Sequence, residues 1–451
     1  MNFKVALFGL CLASLATGCN DYFSYSSAAN ETATPAPNIC AETADPASSG
    51  FQSGDGSALS PFGICTAVQL DSIGDNFLDK HFVVLQDIDM SSILNFNVIG
   101  SGPGPFMSGI NNRYTGTFDG GDFDISNLTQ TSVIYDYYGM IGSLGSAGKV
   151  LNTHLSNINI DHTADMGNVV GGLVGYSEGE VRDSSTSGIV LGYTAVGGLI
   201  GSAELTGIVS NSHSSATVTG YSKVGGLIGF LWDVSVDNSY ATGSVTGERY
   251  VGGLIGEADS YTASVTIDTC YSTGLVTGIS GGYSTGGLIG EIYADTFNIV
   301  ISNSSSIGDV TGDSNVGGFI GRGSASASNV VVNNSFSTGD VYVEVANGGG
   351  AIGYLEEAIV TDFYSSGLLS NGLGATELGG LIGSSGSNTY SDVYWNTATL
   401  DADGTSLVDP DPVGTTGLTA LQMQNSANFN FDFTGVWNIS GALNGGFPYL
   451  R

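Results

Sequence analysis

The sequence predicts an all-β chain: a single-domain parallel β-helix of about ten coils with a cap at each end. Three observations predict it. A Gly-Gly-apolar-apolar-Gly block recurs at intervals of 26 to 34 residues. After each block comes a second element in which valine or isoleucine alternates with small polar residues, the period of a strand. The repeats show no apolar stripe at the 3.6-residue spacing of a helix.

Residues 1–19 read MNFKVALFGLCLASLATGC. Lys4 supplies a positive start, and the apolar run from Val5 to Ala16 is too short to span a bilayer but suits an export signal. Ala16-Thr17-Gly18-Cys19 resembles a bacterial lipobox, with Leu15 one step before the place where leucine is usual. The resemblance implies lipidation of Cys19 and, with Asn20 next, delivery to the outer membrane, facing the surface or the periplasm. Two or more acyl chains anchor a protein stably. The alternative is an ordinary signal cut nearby, releasing a secreted protein. Residues 20–57, rich in Ser, Ala, Thr, Pro and Gly, read as a flexible tether. No other segment is long and apolar enough for a transmembrane helix, so membrane contact is expected through the lipid anchor only.

Composition narrows the classes further. Among 451 residues there are 70 glycines but 9 prolines, with no strict triplet, which excludes collagen and Pro-rich disorder. Against 42 acidic residues stand 9 Lys and Arg, a net charge of −33. Such a field repels nucleic acid, anionic lipid and polyanionic glycans. Of five cysteines, Cys11 lies in the signal and Cys19 is the proposed lipid site. Cys40 and Cys65 are the pair expected to bridge in an oxidising compartment. Cys270 stands where sibling repeats have serine, the mark of a small buried residue.

Residues 58–130 are read as capping coils, 131–395 as the repeats and 396–451 as the C-terminal cap. The blocks end at Gly142, Gly175, Gly201, Gly229, Gly256, Gly290, Gly321, Gly353 and Gly383. Their fixed glycines are expected to supply turns with positive φ. A unit of about 30 residues with three short strands is one solenoid coil. A β-propeller blade needs about 40 residues or more. Stacking coils about 4.8 Å apart places equivalent residues in columns. Val209, Val236, Ile267, Ile301, Val332 and Val360 would form one inward column. Leu199, Leu227, Leu254, Leu288, Phe319 and Leu381 would form another. Asn211, Asn238, Asn303 and Asn334 would form an amide ladder, with Thr269 and Asp362 as substitutes.

At these residues the chain resembles the GLUG-motif family of bacterial surface and adhesin-like proteins. The repeated VGGLIG with its following N-S-aromatic element carries the resemblance. PFGICTAVQLDSIG near the start and VWNISGALNGGFPYLR at the end extend it over residues 60–451. It implies a short helix over the Gln-Leu segment that closes the open end, with Thr66 as N-cap. It also brings adhesins and IgA-peptidase-like proteins into view. Peptidase activity needs a metalloprotease domain, and none of His81, His154, His162 and His213 lies in an HExxH motif.

Two columns carry candidate chemistry. The residue after each block gives Glu257, Glu291 and Arg322 in three consecutive coils. Carboxylates about 5 Å apart suit an acid and nucleophile pair or calcium; the alternative is a plain surface charge ladder. Ten residues separate the block from the second element in these coils, against five to seven elsewhere, so one lateral protrusion is expected. The second column is His213, Tyr240, Tyr271, Phe336, Tyr364 and Tyr394, interrupted by Ser305. Facing outward, it would stack on sugars; facing inward, it would pack the corner of each coil. Calcium is otherwise suggested only by acidic turns at Asp122 and Leu400, and no cofactor is expected.

The leading functional expectation is a surface-anchored, non-catalytic β-helix for adhesion, with a surface glycan or protein as ligand. The first alternative is a glycoside hydrolase or lyase on the same scaffold. An ice-binding role, from aligned Thr219, Thr246, Thr277 and Thr311, is the weaker alternative, because the flanking positions read Thr217, Ser244, Leu275 and Asp309.

Overall fold

A computed structural model describes residues 40, 49–102, 112–131, 136–164, 169–279, 281–326, 329–372, 374–398, 412–441 and 443–451. The proposed signal and Cys19 lie outside them, as does most of the proposed tether. The described chain is a parallel β-solenoid. One coil is made of strands Ile228–Trp232, Ser235–Asp237, Tyr240–Ala241, Val245–Gly247 and Arg249–Gly252. The strand after each glycine block belongs to a nine-stranded sheet, and the other coil strands belong to a 35-stranded sheet wrapping the remaining sides. Apart from one two-stranded antiparallel ribbon near the C-terminus, the named strands pair in parallel.

The columns read from the sequence exist in register. Val209 pairs with Val236, Val236 with Ile267, Ile267 with Ile301, Ile301 with Val332 and Val332 with Val360. All are buried, as is the leucine column from Leu199 to Leu381. Each buried Val, Leu or Ile contributes about 1.5–3 kcal/mol, and stacking one on the next keeps a continuous core the width of a coil.

The glycine expectation needs correction. None of the block glycines from Gly171 onward has positive φ. They are required because there is no room for a β-carbon. At Gly229 a Cβ would stand 2.5 Å from the Val196 nitrogen and 2.7 Å from the Gly201 carbonyl oxygen, backbone atoms of the preceding coil. At Gly225 it would overlap the carbonyl of Ile228. The glycines therefore let coils approach closely.

Positive φ falls instead on the amide ladder. Asn211, Asn238, Asn303 and Asn334 all have φ between 44° and 50°, and the substitutes Thr269 and Asp362 share the conformation. Asparagine tolerates this region because its short polar side chain bonds locally. Here the bonds run between coils: Asn238 donates to Asn211 at 2.6 Å, and Asn211 donates to Asp183 at 3.0 Å.

Both ends of the described solenoid are covered. The Thr66 side chain accepts the backbone N–H of Gln69 and caps a helix at Ala67–Asp71, with Leu70 buried. Phe51, Phe62, Phe77 and Phe82 pack beneath it. Cys40 and Cys65 are disulfide-bonded with Cα atoms 5.6 Å apart, and Cys270 is a buried free thiol. At the other end, Thr419 and Gln422 form a capping box on helix Ala420–Met423. The chain then runs back over one side of the last coils. Among the described residues no helix is long and apolar enough to cross a membrane.

Gly229→Ala is expected to destabilise the protein by about 1–3 kcal/mol through overpacking against backbone. Gly441→Ala, with nothing within 4 Å of the added carbon, is expected to leave the urea midpoint unchanged. Equal midpoints for the two variants would show that the blocks do not need glycine for close approach.

Candidate functional site

The acidic column forms as the spacing requires. Phe230, Glu257, Glu291, Arg322 and Tyr354 pair coil by coil along the nine-stranded sheet. Lys223 binds Glu257 at 3.2 Å and sits 3.6 Å from the Phe230 ring centroid. Arg322 donates to Glu291 at 2.5 Å, and the Ser284 hydroxyl donates to the other Glu291 oxygen at 2.7 Å. Burial raises the pKa of both glutamates, and their cations oppose the shift. Glu257 and Glu291 therefore stand one coil apart, each held by its own cation.

Two residues along the strand lies Asp259, which the sequence reading did not single out. It is 6% exposed, and in register it lies between Trp232 and Tyr293. Burial, reinforced by the charge of Glu257, pushes its carboxyl up to about 7. One oxygen each of Glu257 and Asp259 is buried without a protein donor. A proton retained by Asp259 gives Glu257 a hydrogen-bond donor, which works against the upward push of burial on Glu257. The signal for Asp259 was its i+2 offset from Glu257, which puts both side chains on one face of the strand.

The longer coils build the protrusion partly by lengthening strands, to Ile255–Ser260, Ile289–Ala294 and Ile320–Ala325. Asp233 pins the first turn by accepting the Thr262 hydroxyl at 2.5 Å and the backbone N–H of Tyr261 at 2.7 Å. Tyr261 and Tyr293 are exposed there, with ring centroids 5.6 Å apart. Among the described residues no group of three His, Cys, Asp or Glu side chains is placed to hold a metal ion. The proposed calcium turn from Leu400 falls almost wholly outside them.

The aromatic column divides in two. His213, Tyr240 and Tyr271 stack with centroids 4.6 Å apart and planes within 8°. These three rings are half-buried. Ser305 follows in register. Phe336 and Tyr364 then stack at 5.2 Å, but they and Tyr394 are 2%, 0% and 5% exposed. The closing segment covers them. Trp437 lies 6.0 Å from Tyr364, whose hydroxyl donates to the Pro448 carbonyl at 2.6 Å and accepts from Asn444 at 2.7 Å. Phe336, Tyr364 and Tyr394 are thus packing residues, not the ligand contacts expected from the sequence; Tyr240 and Tyr271 keep accessible surface. The sequence reading also missed a second stack, Tyr193 on Tyr221 at 4.7 Å, with Arg249 over Tyr221 and Tyr283.

The four aligned threonines pair in register. Beside them Leu275 is exposed and Asp309 carries charge, so the surface is not a regular threonine array.

Residues 192–219 and 220–246 match the GLUG motif, so the chain carries this repeat. It is 33% identical over 166 residues to Halomucin of Haloquadratum walsbyi, a match covering 35% of this chain and 2% of that protein. It is 34% identical over 143 residues to an Evansella cellulosilytica protein provisionally described as a Gly-rich membrane protein, covering 31% of this chain and 16% of the relative. The matches thus span small fractions of both relatives. A solved Bacteroides ovatus structure, provisionally described as an immunoglobulin A1 protease, aligns over 89% of this chain and 95% of its own, with TM-score 0.45 and 19% identity.

The folded state keeps a proton on Asp259 that the unfolded chain releases near the ordinary value of 3.8. Its contribution to stability therefore falls as pH rises from about 4 to about 7, with a slope of at most about 1.4 kcal/mol per pH unit. Asp259→Asn is expected to flatten the urea midpoint over that window relative to the parent. Parallel pH profiles for the two proteins would refute the raised acid.

Proposed function

We propose that this chain is a surface-anchored, non-catalytic β-helix that binds neutral glycans along one side. The observation that carries the reading is the half-buried ring stack His213–Tyr240–Tyr271 on a rigid flank of the solenoid. Within the stack the rings cover one another's faces, so a glycan along this flank meets their edges and phenol hydroxyls, and face stacking is left to the end of the row, at Tyr271 beside Ser305. The net charge of −33 disfavours anionic glycans and nucleic acid as partners. A protein ligand on the same flank is the alternative partner. Cys19 would carry the lipid anchor, with the stretch between Cys19 and Cys40 as tether; the expected tether to residue 57 is too long, because Cys40 is bridged to Cys65 and Phe51 is buried in the core. The relative described as a membrane protein supports a place in the cell envelope.

A second reading, a carbohydrate-active enzyme, is favoured by one observation: the Glu257–Asp259 pair between Trp232 and Tyr293, with Glu291 in the next coil. An acid held near pH 7 beside a carboxylate is the equipment of glycoside hydrolysis. Against it, Glu257 and Glu291 are each engaged by a cation and largely buried.

A glycan array with a turnover assay on neutral polysaccharides separates the readings. Tyr240→Ala with Tyr271→Ala is expected to weaken glycan binding at least tenfold while the protein stays folded. Glu257→Gln and Glu291→Gln are expected to change binding less than threefold. Cleavage that vanishes in either Gln variant would replace this proposal with the enzyme. For the address, Cys19→Ser is expected to move the protein from the membrane fraction to the soluble one or leave it unprocessed. A parent chain without acyl groups whose first residue lies elsewhere would remove the anchor.

A further inference from the structure

Ser305 sits in register between Tyr271 and Phe336. It is the one position from His213 to Tyr394 in that column without a ring. Three neighbouring ring pairs in the column, His213–Tyr240, Tyr240–Tyr271 and Phe336–Tyr364, stand 4.6 to 5.2 Å apart. Omitting one ring recesses Ser305, which is itself 8% exposed, between the levels of Tyr271 and Phe336. A groove of about 1200 Å³ opens at this break, and Tyr271, Asn303, Ser305, Asp309, Phe447 and Arg451 help to line it. Phe336 is only 2% exposed and packs toward Trp437 at 6.1 Å. The accessible aromatic wall is therefore that of Tyr271, and the closing segment forms the opposite side.

We infer that this groove binds one neutral hexopyranose residue of a glycan, stacked on Tyr271 over Ser305. The inference rests on the glycan-binding reading above and gives it a subsite. A pyranose has an apolar C–H face for the tyrosine ring and a rim of hydroxyls that both donate and accept. The groove supplies partners of both kinds. Asn303 donates to Asp268 at 2.8 Å and carries an amide oxygen, and Arg451, whose Nε and Nη2 donate to the Trp437 and Phe433 carbonyls at 3.0 and 2.7 Å, has further guanidinium N–H groups. Asp309 is exposed; one of its oxygens accepts the Asp340 backbone N–H at 2.9 Å, and its carboxylate retains further acceptor capacity. An aromatic side chain of a protein ligand would leave this polar rim unused. An anionic sugar would meet Asp309 and Asp340, which also lines the groove, on a chain already strongly negative. The rings of the closing segment pack on Phe336, Tyr364 and Tyr394, on the far side of the break at Ser305 from Tyr271.

The test uses the full chain and saturation-transfer NMR with cellobiose, lactose and an α-mannobiose, with glucuronic acid as the anionic control. At least one neutral disaccharide is expected to receive saturation on its ring protons, and glucuronic acid none. Ser305→Tyr restores the residue type found in neighbouring coils, so it is expected to keep the urea midpoint at or above that of the parent. It should abolish transfer by filling the space. Tyr271→Ala should weaken binding at least tenfold. A folded Ser305→Tyr protein that binds the same disaccharide as well as the parent would place the sugar elsewhere and overturn the subsite, leaving the glycan reading intact. If Ser305→Tyr does not fold, unchanged affinity in Tyr271→Ala overturns it instead. A parent protein that binds none of the neutral disaccharides overturns both the subsite and the glycan reading.

Discussion

The structure depends on one constraint: successive coils are hydrogen-bonded in parallel, in register, about 4.8 Å apart. Each side chain must then tolerate its own kind above and below. Aliphatic residues satisfy this by packing, asparagines by bonding amide to amide, and aromatic residues by stacking faces. The glycine blocks are the extreme case. Where the nine-stranded sheet turns into the next wall, backbone meets backbone, and only hydrogen fits. Charged residues join such columns beside a counter-ion, as Glu257 and Glu291 do, with a retained proton, as Asp259 does, or by accepting neutral hydrogen bonds, as Glu204 does.

The same constraint explains how much was legible in the sequence. Periodicity exposes columns that recur at the same offset from the glycine block, so the Val236 and Leu227 stacks, the Asn238 ladder and the Glu257–Glu291–Arg322 row could be read from spacing alone. The reason for each residue was less accessible. Glycine at 229 and asparagine at 238 both suggest unusual backbone angles, but only the asparagine has one. The difference lies in which position faces the neighbouring coil's backbone, and spacing does not report that. Asp259 escaped notice because its environment comes from residues in three coils, Lys223, Trp232 and Tyr293, whose proximity depends on the lengthened strands.

The burial of Tyr364 was the least legible feature. It arises from Pro448 and Asn444, some eighty residues downstream and outside the repeat. No period links them. The repeat alone says that an aromatic column exists on one flank; whether it faces solvent is decided by a non-repetitive segment that chooses to lie there. An apolar ring row on the final coils is a natural seat for such a segment, since the hydrophobic gain from Trp437, Phe429 and Phe431 grows with each ring covered.

That choice has a consequence for where binding can occur. A ladder of identical sites along a solenoid offers no particular place for a ligand, because each coil presents the same face. Specific places arise where the column is interrupted or where a foreign segment meets it. On this chain the two coincide: the ring column lacks a member at Ser305, and the closing segment lines the groove at that break. The lengthened coils around Asp259 are a second interruption, on the other sheet, where chain length rather than side-chain size breaks the repeat. Order in the stack supplies rigidity, and the departures from it supply the only distinct chemistry the scaffold can offer.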